Sequence, residues 1–204
     1  MLTRILWFSA AIIPLAAAQA QEREQLRIEA PTFWGAWKNA REEQGNGVHF
    51  TAWVPANQQG TAWKESIAVA VLDPRPSGDA AVNAIRLILG SSVSACPNSN
   101  IVPPKPQSEG PFTVAYTQFY CPQSRTHGLG EVIFIKSISS ERKVHLVSMM
   151  MRVKPFEIPS PGAIYFATDE AVAIFDWMKA TSTYLSGTVK LCVGDQGKQE
   201  VCSP

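Results

Sequence analysis

The sequence predicts an α+β fold: a mostly antiparallel sheet of about five strands with two main helices, held together by disulfides. Three observations carry this reading. Two stretches repeat apolar residues at helical spacing, and several others alternate with the period of two that a strand imposes. Four cysteines, Cys96, Cys121, Cys192 and Cys202, stand in a chain whose start reads as an export signal.

The elements follow in chain order. From Val48 to Val54, His49, Thr51 and Trp53 alternate with Phe50, Ala52 and Val54, a strand period. A turn of helix is predicted around Ala62-Trp63-Lys64. Ile67, Val69 and Val71 alternate with Ala68, Ala70 and Leu72; both sets are apolar, so this strand is expected to be central. The first helix spans Asp79 to about Val93. Val82, Ile85, Ile88, Leu89 and Ser92 form one face, and Ser77 and Asp79 are cap candidates. Pro97 to Pro111 reads as a loop, because Pro103, Pro104 and Pro106 cannot continue a helix or a central strand.

A third strand places Phe112, Val114, Tyr116 and Tyr120 on one face and ends at Cys121. Glu131 to Ser139 and Lys143 to Val153 form a hairpin, supported by the β-branched Val132, Ile133, Ile135 and Ile138. A Pro-rich break runs from Pro155 to Pro161. The second helix begins at Thr168-Asp169 and ends near Leu185, with Val172, Phe175, Met178 and Leu185 facing inward. Asp169 and Glu170 suit its first turn, where the helix dipole favours acids. Hairpin-like neighbours dominate, so the sheet is expected to be antiparallel with the helices on one face.

Residues 1–20 read as a signal peptide. Arg4 is the only charge before Glu22, an apolar run extends from Ile5 to Ala18, and Ala18-Gln19-Ala20 supplies the small-x-small exit. The run is shorter than the ~20 apolar residues of a membrane span. Residues 21–204 are then one α+β domain in the periplasm, or secreted. Losing Arg4 brings the 18 Lys and Arg level with the 17 Asp and Glu. A neutral chain with scattered charges lacks the basic face that captures nucleic acid, and no later stretch reads as a membrane span.

An even count of cysteines in an oxidising compartment favours two disulfides. Three pairings exist. Cys96 with Cys121 and Cys192 with Cys202 are preferred as nearest in sequence. A zinc site fails on spacing, since there is no CxxC and only His127 lies near a cysteine, Cys121. Met149-Met150-Met151 would send consecutive side chains to opposite faces of a strand, which suits core filling better than a copper site. No metal or cofactor is expected.

There is no G-x-S-x-G elbow, phosphate loop or H-E-x-x-H. His127-Gly128-Leu129-Gly130-Glu131 is the most site-like stretch, because a loop histidine and a glutamate can work as acid and base. The alternative is a turn, with Gly128 and Gly130 free to take positive φ. Trp34, Trp37, Trp53 and Trp63 crowd the N-terminal third. They are a candidate binding surface, or packing over the sheet.

Several spaced features resemble an uncharacterised exported protein family of proteobacteria. They are Trp37, Trp53-Val54-Pro55, Trp63-Lys64-Glu65-Ser66-Ile67-Ala68-Val69, Ala95-Cys96-Pro97, Tyr120-Cys121-Pro122, Gly128-Leu129-Gly130-Glu131 with Lys136 after it, and Leu191-Cys192. The layout is also similar to the PsbP-like α/β/α sandwich, and that resemblance implies docking on partner proteins. Three functions follow as expectations. The first is a non-enzymatic periplasmic module that binds a protein partner at the cell envelope. The second is a hydrolase using His127 and Glu131. The third is a carrier of a small apolar ligand between sheet and helix.

Overall fold

The structure, a computed structural model, describes residues 23–28, 31, 35–58, 62–73, 79–160, 162–194 and 201–203. The signal peptide, Trp34 and Ser77 lie outside the described residues. The strands are β1 (Arg23–Arg27), β2 (Trp37–Gly45), β3 (Val48–Pro55), β4 (Glu65–Leu72), β5 (Asn100–Ile101), β6 (Lys105–Glu109), β7 (Phe112–Cys121), β8 (Gly130–Ser139), β9 (Val144–Val153), β10 (Glu157–Ser160), β11 (Ala163–Tyr165), β12 (Lys190–Gly194) and β13 (Val201–Cys202). The helices are α1 (Ala80–Ala95) and α2 (Thr168–Gly187).

The main sheet has eight antiparallel strands in the order β2-β3-β4-β9-β8-β7-β5, with β6 also paired to β7. Two small sheets, β1-β12-β13 and β10-β11, complete the described residues. The expectation of about five strands is therefore wrong: the described residues form thirteen, in three sheets. The reason is visible in the missed strands. Strand β2 is an exposed edge whose middle reads Lys38-Asn39-Ala40-Arg41-Glu42-Glu43-Gln44, so no apolar face marks it. Strand β6 carries Pro106 and β10 carries Pro159, in stretches expected to be loops; proline is tolerated where a strand forms an edge. The turn of helix expected at Ala62-Trp63-Lys64 is instead the irregular lead into β4.

Strand β8 explains the sheet's centre. All ten of its residues are buried, so its run Val132-Ile133-Phe134-Ile135 needs no alternation. Even-numbered residues of β8 (Val132, Phe134, Ile138) face one core, which also takes Ile174, Trp177, Tyr184 and Leu185 of α2 and Leu191 of β12. Odd-numbered residues (Ile133, Ile135) face the other core, with Ala81, Val82, Ile85 and Leu89 of α1. The helices thus cover opposite faces, and the expectation of helices on one face is also wrong. The connection after β4 carries α1 to one face, while the chain leaving β9 carries α2 to the other. Met149 and Met151 pack in the α2 core and Met150 in the α1 core, the split that strand alternation imposes.

Asp79 caps α1 by accepting from the Val82 amide at 3.0 Å. The helix ends at Cys96, which is disulfide-bonded to Cys121 at the end of β7. Cys192 is bonded to Cys202, stapling β13 onto β12. The inner face of α2 is Ile174, Trp177, Thr181, Tyr184 and Leu185. Val172 and Phe175, expected inside, are 73% and 52% exposed. Apolar residues occur all round the helix from Ala171 to Met178, so the period fits two faces. Packing chose the one that brings Trp177 edge-on to Phe134 at 5.9 Å.

Candidate functional site

The turn between β7 and β8 brings His127 and Glu131 together, at 2.7 Å from Nε2 to Oε1. His127 Nδ1 accepts from the Leu129 amide at 3.1 Å, which places the ring proton on Nε2, donated to Glu131. Both ring nitrogens are therefore engaged within the turn. A general base needs one nitrogen open to substrate, and this geometry offers none. Gly128 does take positive φ, at 77°, but Gly130 does not. Gly130 is small for another reason: a Cβ there would sit 2.7 Å from the Phe156 ring. Across the sheet Glu131 is in register with Arg152, whose guanidinium lies 3.6 Å from the centroid of Trp63. Burial lowers the Arg152 pKa and Glu131 opposes it.

A second polar cluster lies in the α2 core. Lys136, fully buried on β8, donates to the Val189 carbonyl at 2.9 Å, and its Nζ is 3.7 Å from Glu109 of β6. Tyr116 donates to the other Glu109 oxygen at 3.3 Å, and its ring centroid lies 5.4 Å from the Lys136 ammonium. Burial pushes the Lys136 pKa down while Glu109 pulls it back. Burial first, then Glu109, pushes the Tyr116 hydroxyl well above the ordinary phenol range. Sequence reasoning assigned this cluster no role. Its one signal is a lysine between Ile135 and Ser137 in an otherwise apolar strand. Similarly buried, His145 of β9 sits 3.5 Å from Glu24 of β1, and burial lowers its pKa.

The tryptophans divide. Trp37 and Trp53 are half-buried against the α2 core, and Trp63 is stacked on Arg152. More apolar surface is exposed on the outer side of α2. There Val172 and Phe175 are exposed, and Tyr165, at the end of β11 three residues before the helix, is 64% exposed. A ladder of rings fixes Phe175 to the interior: buried Phe156 meets Phe166 at 4.9 Å, and Phe166 meets Phe175 edge-on at 5.6 Å. Acids surround this ladder in the sequence: Glu157, Asp169, Glu170 and Asp176, against Lys154 and Lys179. Lys154 pairs with Asp169 and, at 3.8 Å, with Glu170, tying the β9–β10 connection to the first turn of α2.

Among the described residues no three His, Cys, Asp or Glu side chains are grouped to hold a metal, and no helix is long and apolar enough to cross a membrane. No family model and no curated protein matches the chain. Several solved structures are similar to it. One is LpqN of Mycobacterium tuberculosis, described as involved in cell envelope biogenesis, with 9% identity, coverage of 93% of this chain and 88% of that one, and a TM-score of 0.42. Another is a mutant of the protein Mog1, with 10% identity, coverage of 74% and 93%, and a TM-score of 0.41. Likenesses of this depth carry no argument about function.

Proposed function

We propose that the protein is a non-enzymatic module of the periplasm, exported by residues 1–20, that binds a protein partner at the cell envelope through the outer face of α2. The observation that carries this reading is the exposure of Val172 and Phe175 on α2, with the Phe175 ring anchored to the core through Phe166. Aromatic side chains held rigid lose little entropy on binding, which is why they anchor interfaces. The acid-rich flanks favour a partner that brings apolar anchors with basic neighbours. Two disulfides suit the oxidising compartment. The closed His127–Glu131 pair weighs against hydrolysis, and the turn geometry accounts for both residues.

The test is a Val172→Ser/Phe175→Ser double variant. Both side chains are more than half exposed, so its melting temperature should fall by only a few degrees, the loss of the Phe166–Phe175 contact being worth about 1 kcal/mol. Envelope proteins that co-purify with the native protein from cross-linked periplasm should be lost from the variant. Retention of the same proteins by a folded variant would overturn the assignment of this face.

A further inference from the structure

Pro103 and Pro104 have no N–H to give to a strand, so pairing along the outer edge of β7, which runs through the Val102 amide bonded to the Gln118 carbonyl at 2.9 Å, breaks between Val102 and Lys105. A cavity of about 290 Å³ opens at this break, between β7 and the last turns of α2. None of its ten lining residues is charged. The nearest buried charges, Lys136 and Glu109, face each other behind Tyr116.

Its polar groups are held ready on opposite walls. Gln118 accepts from the Tyr120 hydroxyl at 2.6 Å, which fixes the amide plane and leaves its NH₂ to donate. Facing it, the Ser186 hydroxyl spends its proton on the carbonyls of Ser182 and Thr183, so its lone pairs are left to accept. Gln107 and Ser182 add groups that both donate and accept. Phe134 and Leu185 supply apolar surface between them.

We propose that this cavity binds a neutral carbohydrate ring. A sugar presents hydroxyls that both donate and accept around an apolar C–H face, which matches amides and hydroxyls set about Tyr116 and Phe134. Absence of charge in the lining disfavours phosphates and carboxylates. The volume falls at the small end of ligand pockets, which run from roughly 300 to 1,000 Å³, so it accommodates a ring or two, and the amides and hydroxyls of the lining favour a sugar over an acyl chain of similar volume. This site is separate from the α2 docking face and does not depend on it.

Amide NMR titration of the oxidised mature chain tests the proposal, with glucose, N-acetylglucosamine and its soluble tetramer as probes and octanoate and phosphate as controls. The saccharides should shift resonances at Gln107, Gln118, Ser182 and Ser186, saturating in about the millimolar range expected of one small ring. Gln118→Ala should weaken binding about five- to tenfold. Ser186→Ala, on the exposed side of a helix, should weaken it about as much without touching the core. A stronger response to the tetramer than to the single rings marks a polymeric glycan as the natural source; equal responses mark a free sugar. The proposal is overturned if the folded protein shows no saccharide-dependent shifts, if octanoate or phosphate produces the shifts instead, or if both variants respond as the wild type does.

Discussion

Lys136 sits with its ammonium buried on the α2 face of β8, between the Val189 carbonyl and the Glu109 carboxylate. Burying an ammonium is costly unless hydrogen bonds and an opposite charge compensate it. Removing it alone should therefore be worse than keeping it. Lys136→Met would orphan the Val189 carbonyl and leave the Glu109 carboxylate with the Tyr116 hydroxyl but without its cation. Urea unfolding should show a loss of about 2–4 kcal/mol. Adding Glu109→Gln should recover part of that loss, because the uncompensated carboxylate goes with it; strict additivity of the two changes would show that the pair is not coupled. The sequence signalled this residue by one polar letter in an apolar strand, but its partners were hidden. Glu109 lies 27 positions earlier and Val189 53 later, and only the sheet register and the return of the chain into β12 bring them together. His127 and Glu131 were legible as a pair, since one short turn separates them. Their closed hydrogen bonding was not, because it depends on which nitrogen meets the Leu129 amide.

The long elements declared themselves and the short ones did not. Strands β3, β4, β7, β8 and β9 and helices α1 and α2 carry apolar periodicity, and their positions follow from the sequence. Strands β1, β2, β5, β6, β10 and β11 are polar, proline-containing or very short, and gain their order from neighbours instead of from a buried face of their own. Helix α2 shows a different failure: its apolar residues surround the axis, so sequence periodicity did not choose between Val172 and Ile174 as the inner row. The disulfides were legible because nearest-neighbour pairing coincided with where α1 and β7 end. Their effects should differ. The Cys96–Cys121 bridge spans 25 residues and the Cys192–Cys202 bridge 10. Chain entropy makes the first worth about 3.5 kcal/mol and the second about 2.7. Replacing Cys96 and Cys121 by Ala should thus lower the denaturant midpoint more than replacing Cys192 and Cys202. An equal or reversed ranking would mean that fixing β13 to β12 matters beyond loop closure.

At the scale of the molecule, one antiparallel sheet separates two cores, and each helix seals one of them. Helix α1 exposes Leu87 and Val93, but α2 exposes Val172 and Phe175 to a greater degree, with Phe166 and Phe156 behind Phe175. That asymmetry is the structural basis for assigning the partner to the α2 side. The sequence contained these residues, and offered the tryptophans as a candidate binding surface or as packing over the sheet. Of those described, Trp37 and Trp53 are half-buried in packing and Trp63 is stacked on Arg152. Site-specific photo-cross-linking in living cells tests the assignment most directly. A photoreactive residue is placed at Phe175, at Val172 and, as a control, at the exposed Glu43 on the distant edge strand β2. A discrete adduct with one envelope protein from positions 172 and 175, absent from position 43, is the expected result. No adduct from the α2 positions, or the same adducts from all three, would contradict the account.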